Sequence, residues 1–302
     1  MPHIWTDSHS FSTGLLQSKD AAFLIMSDDQ FAAEDISHSI PIMWIKGEWF
    51  PLETIIPWIC LSTCIFGDVE RKVLALGQWG EVLIVDNNAK CTNEIVMEKG
   101  NGPQVLGPLR RVRSINNVPY ACGMSRQVYF RELNNHWKSI GPLQDKFSNN
   151  ISGFESIDGI SESDIYAVGI SGEIWSFDGL IWRQLDSPVN TILNDVCCAP
   201  DGQVYICGRQ GVLLVGHQDT WKAVDHAFYD EDFWSITLYR NTIFLASLKN
   251  IYYLNNNELL PVKFGDDFPK TCYHLCAEND RLLSIGEKDV MIFDGYIWSR
   301  ID

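Results

Sequence analysis

The residues best suited to chemistry are two spaced cysteine pairs. Cys60 and Cys64, and Cys272 and Cys276 with His274 between them, would project sulfurs from one face of an extended strand. A zinc or other soft metal is the chemistry such a set could support. Structural zinc sites favour a tighter Cys-x-x-Cys on turns, however, so small buried thiols are the stronger expectation and no cofactor or metal is assigned. Nine cysteines are an odd number, and most fall within apolar runs. That reads as reduced thiols in a cytoplasmic protein rather than a disulfide framework. The carboxylate doublets Asp28/Asp29 and Asp266/Asp267 are sequence neighbours, which places them on turns and not across a catalytic cleft. His217 and His226 fall at strand ends and read as exposed polar residues. GQWG, GISG and GRQG are followed by strands, with no helix and no Lys-Ser/Thr pair, so they cannot cradle a phosphate. No nucleophile elbow or His-Glu-x-x-His is present.

The elements that must carry these residues repeat. A β-rich run ends in a small residue at Ser27, Gly77, Gly123, Gly169, Gly208, Ser247 and Gly286, with spacings of 50, 46, 46, 39, 39 and 39 residues. A tight turn and a second apolar run follow, and usually a Trp (Trp49, Trp137, Trp182, Trp221, Trp298). Helical repeats of this length need apolar residues at i, i+3, i+4 and i+7, and that pattern is missing. Four short strands per unit at a period of roughly 40–45 residues are the signature of a propeller blade. The chain is therefore expected to be all-β, a seven-bladed β-propeller of four-stranded antiparallel blades filling residues 1–302 as one domain. In the copy from Asn194, NDVCCA, QVYICG, VLLVGH and TWKAV are the four strands in order. Turn glycines are expected because hairpins need positive φ, and the Trp rings are expected to pack between blades. Closure stays open: YIWSRID ends the last blade with its own outer strand, and HIWTD (His3 to Asp7) could add to that blade.

The phrase AVGISGEIWSFDGLIW, sharpest in the copies near Asp164, Gln203 and Arg281, resembles the G-x-x-G-x-I-x-x-x-D-G-x-x-W unit of YVTN and BNR-like bacterial propellers. SFDGLIW at Ser176 to Trp182 only loosely echoes the Asp-box of sialidase-type propellers. The resemblance implies a fold that hosts binding scaffolds, assembly factors and glycosidases alike.

A formal net charge of −16 disfavours nucleic acid and anionic membranes as partners and favours a basic protein; it also serves solubility. No secretory leader or membrane span is visible, and a cytoplasmic location is expected. Loops between second and third strands, and those joining one blade to the next, collect acids and aromatic rings. These are Asp28, Asp29, Glu34 and Asp35 in a swollen first turn, Trp79 in the second copy, Tyr229, Asp230, Glu231, Asp232 and Trp234 before the sixth, and Asp266 and Asp267 before the seventh. Arg126, Arg209, Lys249 and Lys288 occupy equivalent turns and would balance some of these acids. Rings supply desolvated anchors and carboxylates supply steering. The expected function is thus a non-enzymatic protein-binding propeller, most specifically an acidic immunity-type inhibitor of a basic toxin or effector. The alternatives are a propeller hydrolase (glycosidase or lyase type) with a channel-mouth site, or an assembly and scaffolding factor.

Overall fold

Seven four-stranded antiparallel sheets follow one another along the chain, each built from four consecutive strands. This is the fold class of the seven-bladed β-propeller. The computed structural model describes residues 6–52, 54–98, 102–142, 152–278 and 280–302. Blades 1 to 7 span residues 9–51, 60–95, 109–139, 154–185, 193–223, 235–261 and 274–300. In blade 5 the strands are Leu193–Cys198, Val204–Gly208, Leu213–His217 and Thr220–Ala223, the order expected from the sequence. No helix among the described residues is long and apolar enough to cross a membrane.

Second strands such as Lys72–Gly77, Val118–Gly123 and Asp164–Gly169 are buried along nearly their whole length. A strand covered on both faces has no polar side, so it reads as an unbroken apolar run. Fourth strands such as Glu48–Pro51 and Thr220–Ala223 are mostly exposed or half-buried, which is why their sequences drift between copies.

The blades fall into two compact units, residues 1–60 with 233–302, and residues 61–232. In the first unit, Phe11, Leu24 and Met26 of blade 1 pack on Leu283, Ile285 and Val290 of blade 7. Tyr239, Phe244 and Ile251 of blade 6 pack on Leu275, Met291 and Trp298 of blade 7. In the second unit, blades 2 and 3 share Leu74, Leu76 and Tyr129, blades 3 and 4 share Tyr120, Phe154 and Ile157, and blades 4 and 5 share Val168, Val196 and Ile206.

The recurrent Trp begins or nearly begins the outer strands of blades 1, 3, 4, 5 and 7 and reaches the neighbouring blade or connector. Trp182 donates Nε1–H to Ile140 O at 2.7 Å, and Trp221 meets the edge of Tyr166 at 5.9 Å. Trp49 donates to Ile301 O at 3.0 Å, joining blade 1 to the C-terminus. Burying one such ring removes about 200 Å² from water, worth several kcal/mol. On closure, blade 7 takes its outer strand, Trp298–Arg300, from its own segment, and blade 1 is complete from His9 onward; His3 to Trp5 lie outside the described residues. Cys60 and Cys64 lie on the first strand of blade 2, whereas Cys272 sits in the connector before blade 7, not on a strand.

The signature glycine has a different cause from the one the turns suggest. Gly123, Gly169, Gly208 and Gly286 close second strands, and none has positive φ. A Cβ on any of them would collide with the carbonyl of the incoming connector, at Pro108, Gly153, Ile192 and Thr271 respectively. Close approach of two backbones therefore selects glycine here, while the turn residues Gly80 and Gly211 do carry positive φ. Gly286→Ala is expected to cost about 2–3 kcal/mol through overpacking. Gly202→Ala has open space and only an unfavourable φ of 87°, and should cost about 1 kcal/mol. Denaturant midpoints of the two variants check the contrast.

Candidate docking edges

In the first unit, the swollen turn of blade 1 holds a short helix, Asp29–Ala33. Asp28 caps it, accepting from the Gln30 and Phe31 amides at 2.9 and 3.0 Å. Buried His38 closes the insertion: its Nε2 accepts the Asp28 amide at 2.7 Å and its Nδ1 donates to Ile36 O at 2.7 Å. Phe31 stands edge-on to His38 at 5.2 Å. Asp29 is not free. It takes Lys288 Nζ and the Ser10 hydroxyl, and although burial opposes its charge, these bonds hold its carboxyl below the usual range. What the insertion offers to solvent is Phe31 and Ile36 beside Glu34 and Asp35.

The connector into blade 7 is held the same way. Lys270 and Thr271 amides donate to Asp289 at 3.0 and 3.2 Å, and the Cys272 amide donates to Leu248 O at 2.9 Å. Arg300 clasps Asp267 at 2.9 to 3.2 Å and the Phe268 carbonyl at 3.2 Å. Phe268 is left 67% exposed, and half-buried Trp234 packs on Tyr273 at 5.4 Å. Leu248 and Tyr273 are also exposed, as is Asp266. Phe233, next to Trp234, is fully buried against Tyr252. The sequence reading did not single out Phe31, Leu248 or Tyr273; their signal was an apolar residue on a turn-rich connector.

In the second unit, Trp79 is 40% exposed in the blade 2 turn, whose backbone is held by Glu81 and by Gln104. The connector leaving blade 5 is pinned by Asp232, which accepts the Gln210 amide at 2.8 Å, and by the Glu231 carbonyl, which accepts the Gly211 amide. Tyr229 donates to Asp225 and stacks on His226 at 4.9 Å; Asp230 is exposed. Arg126 forks onto Glu173 and lies 5.3 Å over Trp175. Of the turn cations, Lys288 thus balances one of the expected loop acids, Asp29, whereas Arg126 pairs with Glu173 of the neighbouring blade.

His226 is half-buried and hydrogen-bonded at both nitrogens, contrary to the expectation of an exposed ring. Nδ1 accepts the Phe228 amide at 3.0 Å, so Nε2–H donates to Gly211 O at 2.8 Å. Burial lowers its pKa from the usual histidine value. The folded state therefore prefers the neutral ring, and this connector loses stability as pH falls below about 6.5. The protection factor of the Phe228 amide, corrected for intrinsic exchange, should fall on acidification in the wild type and lose that dependence in His226→Gln.

The thiols of Cys64 and Cys272 are not activated. Burial pushes Cys64 and Cys272 up to about 12, far from a thiolate nucleophile at neutral pH. Among the described residues no three His, Cys, Asp or Glu side chains converge as metal ligands. The described connectors thus leave aromatic rings exposed beside carboxylates on braced backbone.

The chain is 36% identical over 295 residues to the immune protein Tsi7 of Pseudomonas aeruginosa, covering 96% of each protein. No protein-family description matches it. Among solved structures it is similar to the WD40 propeller domain of Doa1 (TM-score 0.71, 11% identity, 96% and 93% of the two chains). It is also similar to YCF48 bound to D1 peptide (0.67, 13%, 94% and 91%). Virginiamycin B lyase of Staphylococcus aureus is likewise similar (0.63, 10%, 78% and 82%). At such identities the likeness concerns the fold.

Proposed function

Because the chain belongs to the family of the immune protein Tsi7, we propose that it is a propeller immunity protein, a non-enzymatic binder that neutralises a protein toxin. The observation that carries the docking surface is the edge of the first unit. There Phe31, Ile36, Phe268 and Tyr273 are exposed on connectors braced by Asp29–Lys288 and Asp267–Arg300. Braced loops need little ordering on binding, which favours affinity. Within the twelve residues picked out by the sequence, the roles divide. Asp28, Asp29, Asp232 and Asp267 set the shape of the loops. Glu34, Asp35 and Asp266 meet the partner as charges and Trp234 as a ring, with Tyr229, Asp230 and Glu231 on the connector leaving blade 5 and Trp79 on the blade 2 turn as separate further contacts on the other unit.

A net charge of −16 supports a basic toxin face, because complementary fields speed encounter by about 10- to 1,000-fold. The reading places the protein in the cytoplasm, where it would meet an arriving toxin. The test is protection. Where a toxin-like reading frame lies beside this gene, cells expressing that toxin should grow only when the chain is co-expressed, and purified chain should form a salt-sensitive complex with it. Growth arrest despite normal accumulation of the chain would refute the reading.

A further inference from the structure

Within each four-stranded sheet the first-to-second and third-to-fourth turns share one end, and the second-to-third turn stands at the other. In the second unit, the end away from Trp79 carries apolar side chains that the fold does not bury. Val69, in the first-to-second turn of blade 2, is 94% exposed. Leu180 and Ile181, in the third-to-fourth turn of blade 4, are 87% and 65% exposed. Single exposed apolar residues are ordinary, but these stand on turns that are tied together. Asn117 of blade 3 accepts the Gly67 amide at 3.2 Å and donates its side-chain amide to Asp68, beside Val69. Its neighbour Asn116 donates to Glu162 of blade 4 at 2.9 Å. Gly179, next to Leu180, is so near Ser163 that a Cβ would lie 3.1 Å from that side chain. One continuous row therefore runs from Val69 across blade 3 to Leu180.

The row is braced before anything binds. Asn116 and Asn117 hold φ of 47° and 62°, the two positive values of a tight hairpin turn. Asp178 Oδ1 accepts the Leu180 and Ile181 amides at 2.9 and 2.8 Å, and these bonds hold its carboxyl below the usual range. Apolar side chains on fixed backbone need little ordering on binding.

Charge along the row points to the partner. Asp68 and Glu162 accept from neutral asparagine amides and Asp178 from backbone amides, which satisfies their oxygens but leaves their charge uncompensated. Asp29 and Asp267 of the docking edge differ, because Lys288 and Arg300 neutralise them. Of the cations alongside the row, Lys72 lies 3.9 Å from Glu70, Arg183 lies 2.6 Å from Asp219, and Arg71 is exposed. A net charge of −16 opposes a second copy of this chain on the same face.

We propose that this end of blades 2 to 4 is a second docking surface, for a basic segment of a protein partner in which lysine or arginine alternates with apolar side chains. The apolar side chains of that segment cover Val69, Leu180 and Ile181, and its cations meet Asp68, Glu162 and Asp178. Trp79 and the connector holding Tyr229 to Glu231 belong to the other end of the blades, so this surface is separate from the proposed toxin contacts.

The test uses the full chain and a soluble synthetic peptide of lysine and leucine, with a lysine–serine peptide of equal charge as control. Calorimetry at near-physiological salt should show saturable binding of the first and about tenfold weaker binding of the second. Leu180→Asn with Ile181→Asn removes the apolar tips. Asp68→Asn with Glu162→Gln removes charge while keeping an acceptor for each asparagine. Each pair should weaken binding by about tenfold or more, with Tm unchanged because all four side chains are exposed. Hydrogen exchange should slow at residues 67–71 and 178–181 when the lysine–leucine peptide is bound. Absence of saturable binding, equal affinity for the two peptides, or affinity unchanged in both variant pairs would overturn the proposal. A dimer of the chain at high salt, lost in Leu180→Asn with Ile181→Asn, would give the face to a second copy and also overturn it. No toxin enters the assay, so its outcome is independent of the protection test.

Discussion

Asp195→Ala is expected to cost about 3–5 kcal/mol of folding stability, the range for removing one partner from a buried ion pair. Asp195 is fully buried and joins three blades of one unit, through Arg111 and Arg113 of blade 3, Ser156 of blade 4 and its own strand in blade 5. Without it, two guanidinium groups and a hydroxyl lose their acceptor in a place that water reaches poorly. The loss comes from the orphaned charges rather than from the bonds themselves. Asp195→Leu combined with Arg113→Met should therefore be less destabilised than the sum of its single variants. Urea unfolding of the four proteins measures this. A single-variant cost below about 1 kcal/mol would mean that Asp195 is far better solvated than its position implies.

Trp234→Ala is expected to weaken toxin binding by about 2 kcal/mol or more, roughly thirtyfold in Kd, with little change in folding. The ring is half-buried, packs on Tyr273 and lies on the connector face of the first unit. Its backbone stays fixed in the variant because the Trp234 amide donates to Ala246 O at 2.8 Å. Asp266→Lys, by contrast, reverses an exposed charge and should act mainly on association rate and its salt dependence. Binding kinetics at low and high salt separate the two roles. A variant pair with the opposite assignment, ring affecting rate and charge affecting lifetime, would place the hot spot elsewhere.

The blade order was legible because second strands are buried on both faces and keep their apolar runs, as in KVLALG at Lys72 and DIYAVG at Asp164. The Trp positions were legible for the same reason: each must fill a gap between sheets. The cause of the repeat glycine was not, since the collision of Gly286 with Thr271 appears only when a connector 15 residues upstream is folded against it. Nor could the sequence separate working acids from structural ones. Asp29 finds Lys288 across 259 residues and Arg113 finds Asp195 across 82, pairings that local composition does not encode. Asp28 was closest to readable. An Asp before a short Asp-Gln-Phe-Ala-Ala stretch is a cap signal, set in a segment that otherwise has the look of a long polar turn.

Hydrogen exchange of the chain alone and in complex with its toxin tests the central claim most directly. The account predicts slowed exchange at residues 29–38 and 266–273 on binding, weakened at high salt and lost in Trp234→Ala. Slowed exchange confined to the outer strands, with both segments unchanged, would contradict it.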